Sequence, residues 1–442
     1  MAQQSKGKGR AIVIGGSLGG LFAANLLLAR GWDVKVYERA SDDLATRGAG
    51  IGTHEELFAV MRELGITIDE TIGVAVNRRM CLALDGSLVY ELAVPQTMSA
   101  WARVYRPLKA MLPDRCYRPG TALTGFTEYH DRVVVELSDG TRDECDLLIG
   151  ADGIRSTLRS IWQPAAQPVY VGYIAWRGVM QESAMPPALH AQLMPNYAFG
   201  LPEGEMMLAY PVPGKGDDVR PGHRGYNFVW YRPTDEHTQL PDLCTDATGR
   251  CHGQSIAPPL IRPEVIRSIK KTAHEVLAPQ IAEAFELTEQ PFFQAIYDLE
   301  STTVAKGRVA LLGDAAFVAR PHIGAGVSKA ALDALDLVNQ LDAAPGDIAG
   351  ALATYDVRRR NFGSKVVARS RWVGGYVQWH GKPKHLHPAN MMPPGPANVL
   401  REIGAPLAQI KELHATRPGH RSRWLGARTG LRALRVRHKG AL

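Results

Sequence analysis

The sequence predicts an α/β protein: a parallel-sheet nucleotide-binding domain, a second and mainly antiparallel β-sheet domain, and a helical C-terminal region. Three observations carry this. The chain opens as strand, glycine-rich turn, helix and strand. Two later apolar strands each end in an acid. Between them, residues 166–233 are crowded with aromatic side chains.

The opening strand is Ala11–Ile14, followed by the turn, a helix from about Gly20 to Arg30, and a second strand Asp33–Tyr37 closed by Glu38. Such a βαβ unit implies parallel pairing and a right-handed crossover. Further on, Val133–Leu137, an Asp139-Gly140 turn and the apolar strand Asp146–Ile149 read as a hairpin. Ten aromatic residues lie between 166 and 233, about twice the average density of the chain. The run Tyr226-Asn227-Phe228-Val229-Trp230-Tyr231 suits a strand that is apolar on both faces. Residues 234–262 read as an irregular excursion, and Pro263 to about Phe285 has helical spacing. Strand Val309–Leu312 returns to the first sheet, and a long helix from about Gly324 to Leu341 follows. The expected division is 10–75, 100–165 and 297–345 for the nucleotide domain, 76–99 and 166–296 for the second sheet, and 346–442 for the C-terminal helical region with its basic tail.

Composition narrows the function classes. With 442 residues, 45% hydrophobic and 21% charged, the chain needs no disulfide or metal staple. Its 5 cysteines are scattered and odd in number, as free thiols of a reducing cytosol would be. Cys244, Cys251 and His252 lack the second half of a zinc motif, and the histidine-rich stretch 380–387 has no carboxylates, so no metal is expected. The polar, basic start is not a secretory signal, and no apolar run reaches the roughly 18 residues that span a bilayer. The expectation is a soluble, cytoplasmic protein. The net charge of +7 is local: Arg417–Leu442 holds seven Arg, one Lys and no acid, leaving the body at about −1. That argues against nucleic acid as a partner and for a solvated or subunit-contacting tail.

The turn Gly15-Gly16-Ser17-Leu18-Gly19-Gly20 stands where a dinucleotide-binding loop belongs. Gly15 permits the tight turn, Gly20 lets helix and strand pack closely, and the helix N-terminus offers free N–H groups to a pyrophosphate. Ser17 occupies the place of the usual middle glycine. Glu38 stands where a carboxylate can accept both hydroxyls of a ribose. These residues suit a Rossmann-like domain and leave NAD and FAD both open.

Two further segments are more specific. One is Cys145-Asp146-Leu147-Leu148-Ile149-Gly150-Ala151-Asp152-Gly153-Ile154-Arg155-Ser156-Thr157-Leu158-Arg159. The other runs from Gly307-Arg308-Val309-Ala310-Leu311-Leu312-Gly313-Asp314-Ala315-Ala316 to Pro321-His322-Ile323-Gly324-Ala325-Gly326. With the first turn, in this order and spacing, they resemble the single-component FAD-dependent aromatic hydroxylases of the para-hydroxybenzoate hydroxylase type over roughly residues 10–345. The resemblance implies FAD as cofactor, NADH or NADPH as transient co-substrate, and hydroxylation of an electron-rich ring by O2 through a flavin C4a-hydroperoxide. It also implies a homodimer. Asp314 would bond the ribityl chain, Asp152 and Arg159 would help bind FAD and the nicotinamide, and the loop Pro321–Gly326 would lie against the flavin. A helix N-terminus there would stabilise negative charge on the reduced ring. For Asp314 a plain helix cap remains the alternative.

Departures from the family pattern are local. The loop usually reading G-Q-G-x-N is Gly324-Ala325-Gly326-Val327-Ser328 here, and the usual phosphate-binding Arg of an R-x-x-L helix is replaced by Tyr105. Arg103, Arg106 and Arg47 are the available substitutes. Gly172–Val179, Ala209–Gly214 and Arg320-Pro321-His322 resemble the subgroup acting on hydroxylated N-heterocycles such as dihydroxypyridines. A ring hydroxyl needs a base titrating near neutrality, for which His322 and His54 are the candidates by position, each with a plain structural role as the alternative. Tyr197, Tyr210 and Trp230 are candidates for an aromatic pocket wall. A flavin reductase or oxidase without oxygen insertion, and a non-catalytic redox-switch flavoprotein, remain open alternatives.

Overall fold

The computed structural model describes residues 8–47, 50–379, 385, 387 and 391–407, with Thr46 and Arg47 described in backbone only. The basic tail from Arg417 onward lies outside the described residues.

Strand Arg10–Ile14 is fully apolar after its first residue, as a strand covered on both faces must be. It pairs in parallel with Asp33–Glu38 on one side and Leu147–Gly150 on the other. Val309–Leu311 and Tyr117–Pro119 extend this sheet in parallel, and Ala305–Lys306 closes one edge antiparallel. Because the chain leaves the central strand in both directions, the sheet has its switch point there, where ligands of open α/β sheets bind beyond the carboxyl ends. Helices Leu18–Ala29 and Gly326–Ala343 cover one face and pack on each other.

The second sheet has eight strands and is antiparallel except where Asn196–Gly200 runs beside Arg78–Leu82. Its centre is the pair Val169–Gln181 and Gly225–Pro233, flanked by Phe292–Glu300 and Met206–Val212. One face packs on helices Pro263–Val276 and Pro279–Glu286, giving a core that includes Trp176, Phe228, Trp230 and Phe285. The other face holds Tyr173, Tyr197, Tyr210 and Tyr231 and meets the 32-residue helix Ile348–Trp379. Among the described residues no helix is long and apolar enough to cross a membrane.

Two sequence expectations need correction. The strand that pairs with Val133–Leu137 across the Asp139-Gly140 turn is Arg142–Cys145; the apolar strand that follows joins the parallel sheet. The helical stretch from Pro263 is two helices, since Pro279 lacks the N–H that would continue the first and instead opens the second.

Candidate active site

One cavity of about 650 Å³ runs from the carboxyl edge of the parallel sheet to the tyrosine-bearing face of the second sheet. Its first end is built by backbone. Gly15 has φ +108°, and a Cβ there would stand 2.3 Å from the carbonyl oxygen of Ala151. A Cβ on Gly20 would lie 1.9 Å from the carbonyl oxygen of Gly15, so the helix can approach its strand only with glycine here. Ser17 caps helix Leu18–Ala29 in position but not by a side-chain bond, and it lines the cavity with Gly15, Leu18 and Gly19. The helix N-terminus thus presents its free N–H groups and positive dipole end to the cavity.

Three acids line this end: Glu38, Asp152 and Asp314. Glu38 is buried and accepts from the amides of Gly16 at 2.7 Å and Ala40 at 2.8 Å. Asp152 uses Oδ2 to accept from the amide of Thr157 at 2.7 Å, while its buried Oδ1 has no partner. Burial raises its carboxyl above the ordinary value, against the pull of Ser156 and the neighbouring amides. Asp314 lines the cavity; the protein mass around it raises its carboxyl too, offset by the Lys329 cation. The turn carrying Asp314 is clamped at Gly313, whose amide donates to Asp333 at 2.9 Å and whose carbonyl accepts from the buried Lys329 at 2.6 Å. Arg359 completes this buried network by pairing with Asp333.

At mid-cavity the 3-10 turn Pro321–Ile323, then Gly324 at φ +61°, lead into helix Gly326–Ala343. Pro321, His322, Gly324 and Gly326 all line the cavity, so a second helix N-terminus faces it. Beyond lies the second sheet, contributing Arg177, Tyr197, Leu208, Tyr210, Val229 and Tyr231. Tyr197 and Tyr210 meet edge to face with ring centroids 5.1 Å apart.

His322 is buried, its Nε2 lies 2.8 Å from the Tyr173 hydroxyl, and its Nδ1 has no partner. Tyr173 in turn lies under Arg320, which is fixed by two 2.9 Å bonds to Asp298. Burial first, then the charges of Arg320 and Arg177, push His322 down to about 3. The expected base near neutrality is therefore not what the fold builds: His322 is a neutral hydrogen-bonding group.

Several expected residues sit elsewhere. His54 does not line the cavity; it opens a helix, faces the Ser328 hydroxyl at 3.1 Å and lies beneath Gly324. Arg159 is buried and gives its guanidinium to the carbonyls of Ile154, Ala166 and Ala315, tying the Asp152 and Asp314 segments together from behind. Arg106 is exposed and pairs with Asp217 at 2.5 Å. Arg47 closes a short 3-10 turn, and its side chain lies outside the described residues. Trp230 points away from the cavity, into the core against Phe285, because strand side chains alternate and Val229 and Tyr231 take the cavity side.

Sequence reasoning missed Arg39, Arg177, Tyr231 and the pair Ile403-Gly404, all of which line the cavity. Tyr231 lies in a run that is apolar on both faces, so the sequence does not mark it from Trp230 as the cavity-facing residue. Ile403-Gly404 carries no motif; Arg79 holds this segment by donating to the carbonyls of Leu400 at 2.7 Å and Ile403 at 2.5 Å.

A family profile described as FAD binding domain-like matches residues 170–298. The 2,6-dihydroxypyridine 3-monooxygenase of Paenarthrobacter nicotinovorans is 29% identical over 380 residues, covering 86% of this chain and 94% of that protein. The 6-hydroxynicotinate 3-monooxygenase of Pseudomonas fluorescens is 26% identical over 373 residues, covering 81% of this chain and 89% of its own length. Among solved structures, 2,6-dihydroxypyridine-3-hydroxylase from Arthrobacter nicotinovorans superposes with a TM-score of 0.79 at 28% identity, over 88% of this chain and 99% of that one. Over most of its length the chain is similar to FAD-dependent aromatic hydroxylases. The cavity fits FAD: two glycine-bearing helix N-termini, three lining acids and an orphaned Asp152 oxygen suit a long ligand rich in hydroxyl and phosphate groups.

Proposed function

We propose that this hydroxylase acts on a hydroxylated pyridine or closely related electron-rich ring, with the ring held at the tyrosine-lined end of the cavity. The observation that carries this is the continuity of one cavity from the glycine turn at Gly15, past Pro321–Gly326, to Tyr197, Tyr210 and Tyr231. Relatives named for 2,6-dihydroxypyridine and 6-hydroxynicotinate support the ring class.

In this reading the turn Gly15–Gly20 takes the pyrophosphate, Glu38 the ribose and Asp314 the ribityl chain, with Asp152 as a further acceptor. When bound, FAD supplies the redox chemistry: NAD(P)H electrons activate O2, one oxygen atom enters the ring and the other leaves as water. The protein's work is placement. The helix starting at Gly326 turns its positive end towards the ring system. His322, held by Tyr173, stays neutral and offers a hydrogen bond. Burial raises the hydroxyls of Tyr197 and Tyr231 and pushes Tyr210 up to about 12, so all three remain hydrogen-bond donors at neutral pH. Ile403-Gly404, fixed by Arg79, helps close the cavity against water. The enzyme is expected to be a soluble homodimer, which light scattering measures directly.

The test is NADH and NADPH oxidation by the FAD-loaded protein, with and without 2,6-dihydroxypyridine, followed by product mass after reaction under 18O2. Stimulated oxidation with one labelled oxygen in the ring supports the reading. Bound flavin without stimulation by any hydroxypyridine or phenol removes it.

A further inference from the structure

The charges around the cavity are sorted. All three lining acids stand at the nucleotide end, whereas the ring end holds one cation, Arg177, and no acid among the described residues. Arg177 projects from the middle of strand Val169–Gln181, opposite Val229 on one neighbour and Phe292 on the other. It lines the cavity, enters no ion pair or hydrogen bond with a described residue, and its Nε is buried without an acceptor. Close by on the same face, Asn227 is fully buried and neither atom of its amide is bonded. A Cβ on Gly50 would lie 3.0 Å from Asn227 and 3.1 Å from Tyr210, which places the amide beside the cavity's tyrosine wall.

A guanidinium with a buried Nε and no acceptor is costly unless a ligand supplies one. The groups that face Arg177 supply none. Its charge acts on Tyr231 from the neighbouring strand, on Tyr210 from the strand Met206–Val212 beyond it, and on His322 from the loop, all of them uncharged at neutral pH. Phe292 and Gln294 on the remaining strand are neutral by nature. A planar guanidinium fork matches an oxyanion, or two oxygens side by side, better than any other common partner.

We propose that Arg177 is the anion anchor of the ring end: it binds the substrate as a ring oxyanion, and it makes rings that can ionise at oxygen the preferred substrate class. This rests on the ring-hydroxylase reading above and adds to it the form in which the ring binds. The ring hydroxyl gives its proton to bulk water on binding, no side chain stores it, and the negative oxygen raises the electron density of the ring. Arg177 thereby does what the expected general base would have done, by charge and without a proton transfer of its own.

The experiment uses the FAD-loaded protein, wild type, Arg177→Gln and Arg177→Lys, and reads ring binding from the change in flavin absorbance. The probes are 2,6-dihydroxypyridine against 2,6-dimethoxypyridine, and benzoate against benzamide, each from pH 5 to 9. FAD affinity is measured separately by fluorescence quenching. The proposal expects wild type to prefer the ionisable member of each pair. Arg177→Gln should lose about 10- to 100-fold for that member only. Arg177→Lys should recover part of the loss, and FAD affinity should not change. Equal weakening for both members of a pair shows a structural role and overturns the proposal. So does a loss of FAD affinity with ring preference intact, which would assign Arg177 to the cofactor. Arg177-dependent preference for benzoate, with no hydroxypyridine or phenol hydroxylated, leaves the anion site standing and sinks the ring-hydroxylase reading. Binding of neither pair by wild type sinks both.

Discussion

At the nucleotide end of the cavity a ligand meets a backbone cradle and three acids; at the ring end it meets rings, hydroxyls and a cation. Gly15 and Gly20 leave no room for even one added carbon, and the amides of two helix N-termini do the receiving. Across the cavity, Tyr197, Tyr210, Tyr231, His322 and Arg177 present rings, hydroxyls and one charge. The first end is built for a ligand that never changes, since a backbone cradle has no side chain to vary. The second can be altered one side chain at a time. The difference separates what every member of such a family must share from what each can tune.

Four predictions sharpen or break that contrast. The largest effect is expected from Gly15→Val, which forces a branched side chain into a φ of +108° and against Ala151. FAD affinity should fall by about 100-fold or more, read by flavin fluorescence; a near-normal dissociation constant would mean that the backbone is not the cradle. Next is Lys329→Met, which strips a buried cation from the Gly313 carbonyl and from Asp333, 3.5 Å away. A loss of about 3 kcal/mol in urea unfolding is expected, together with weaker FAD binding as the Asp314 turn loosens. Stability lost without any change in FAD affinity would detach that network from the site.

The third concerns acid. His322 carries its proton less readily folded, at about 3, than unfolded, at 6.5. The unfolded chain therefore binds the extra proton as pH falls through 6.5, and stability drops with pH until the folded group also titrates. His322→Asn should flatten unfolding midpoints over this acid window; an unchanged slope would return His322 to an ordinary titrating histidine. The smallest effect belongs to Arg106→Ala. Its pair with Asp217 is half exposed on the arginine side, so stability should move by less than about 1 kcal/mol and FAD affinity should not change. A clear drop in FAD affinity would put Arg106 back at the phosphates.

What the sequence made legible follows the same division. The glycine turn, Glu38, Asp152 and Asp314 were readable because each sits at the carboxyl end of an apolar parallel strand, a local pattern with one spatial meaning. The ring end was read only in part. Residues 226–231 are apolar on both faces, so hydrophobicity cannot say which face looks into the cavity; Tyr197 and Tyr210 line it, whereas Trp230 does not. Arg177 gives no local signal, because its meaning lies in the acids that are missing around it in space. His54 and Arg159 stand within motif distance of the cavity but do not line it: His54 faces the Ser328 hydroxyl, and Arg159 donates to the carbonyl of Ala315, next to Asp314.

The contact between the amide of Gly404 and the carbonyl of His322, at 3.1 Å, sets an order of events in the making of this protein. The glycine cradle and Glu38 leave the ribosome with the opening strands. The wall formed by Ile403-Gly404 exists only after residue 404 has been translated. Once Asp314 has been translated, the nucleotide end can be complete while the ring end still stands open. A chain halted before residue 395 would carry its cradle and its acids and still lack the wall that shuts the cavity.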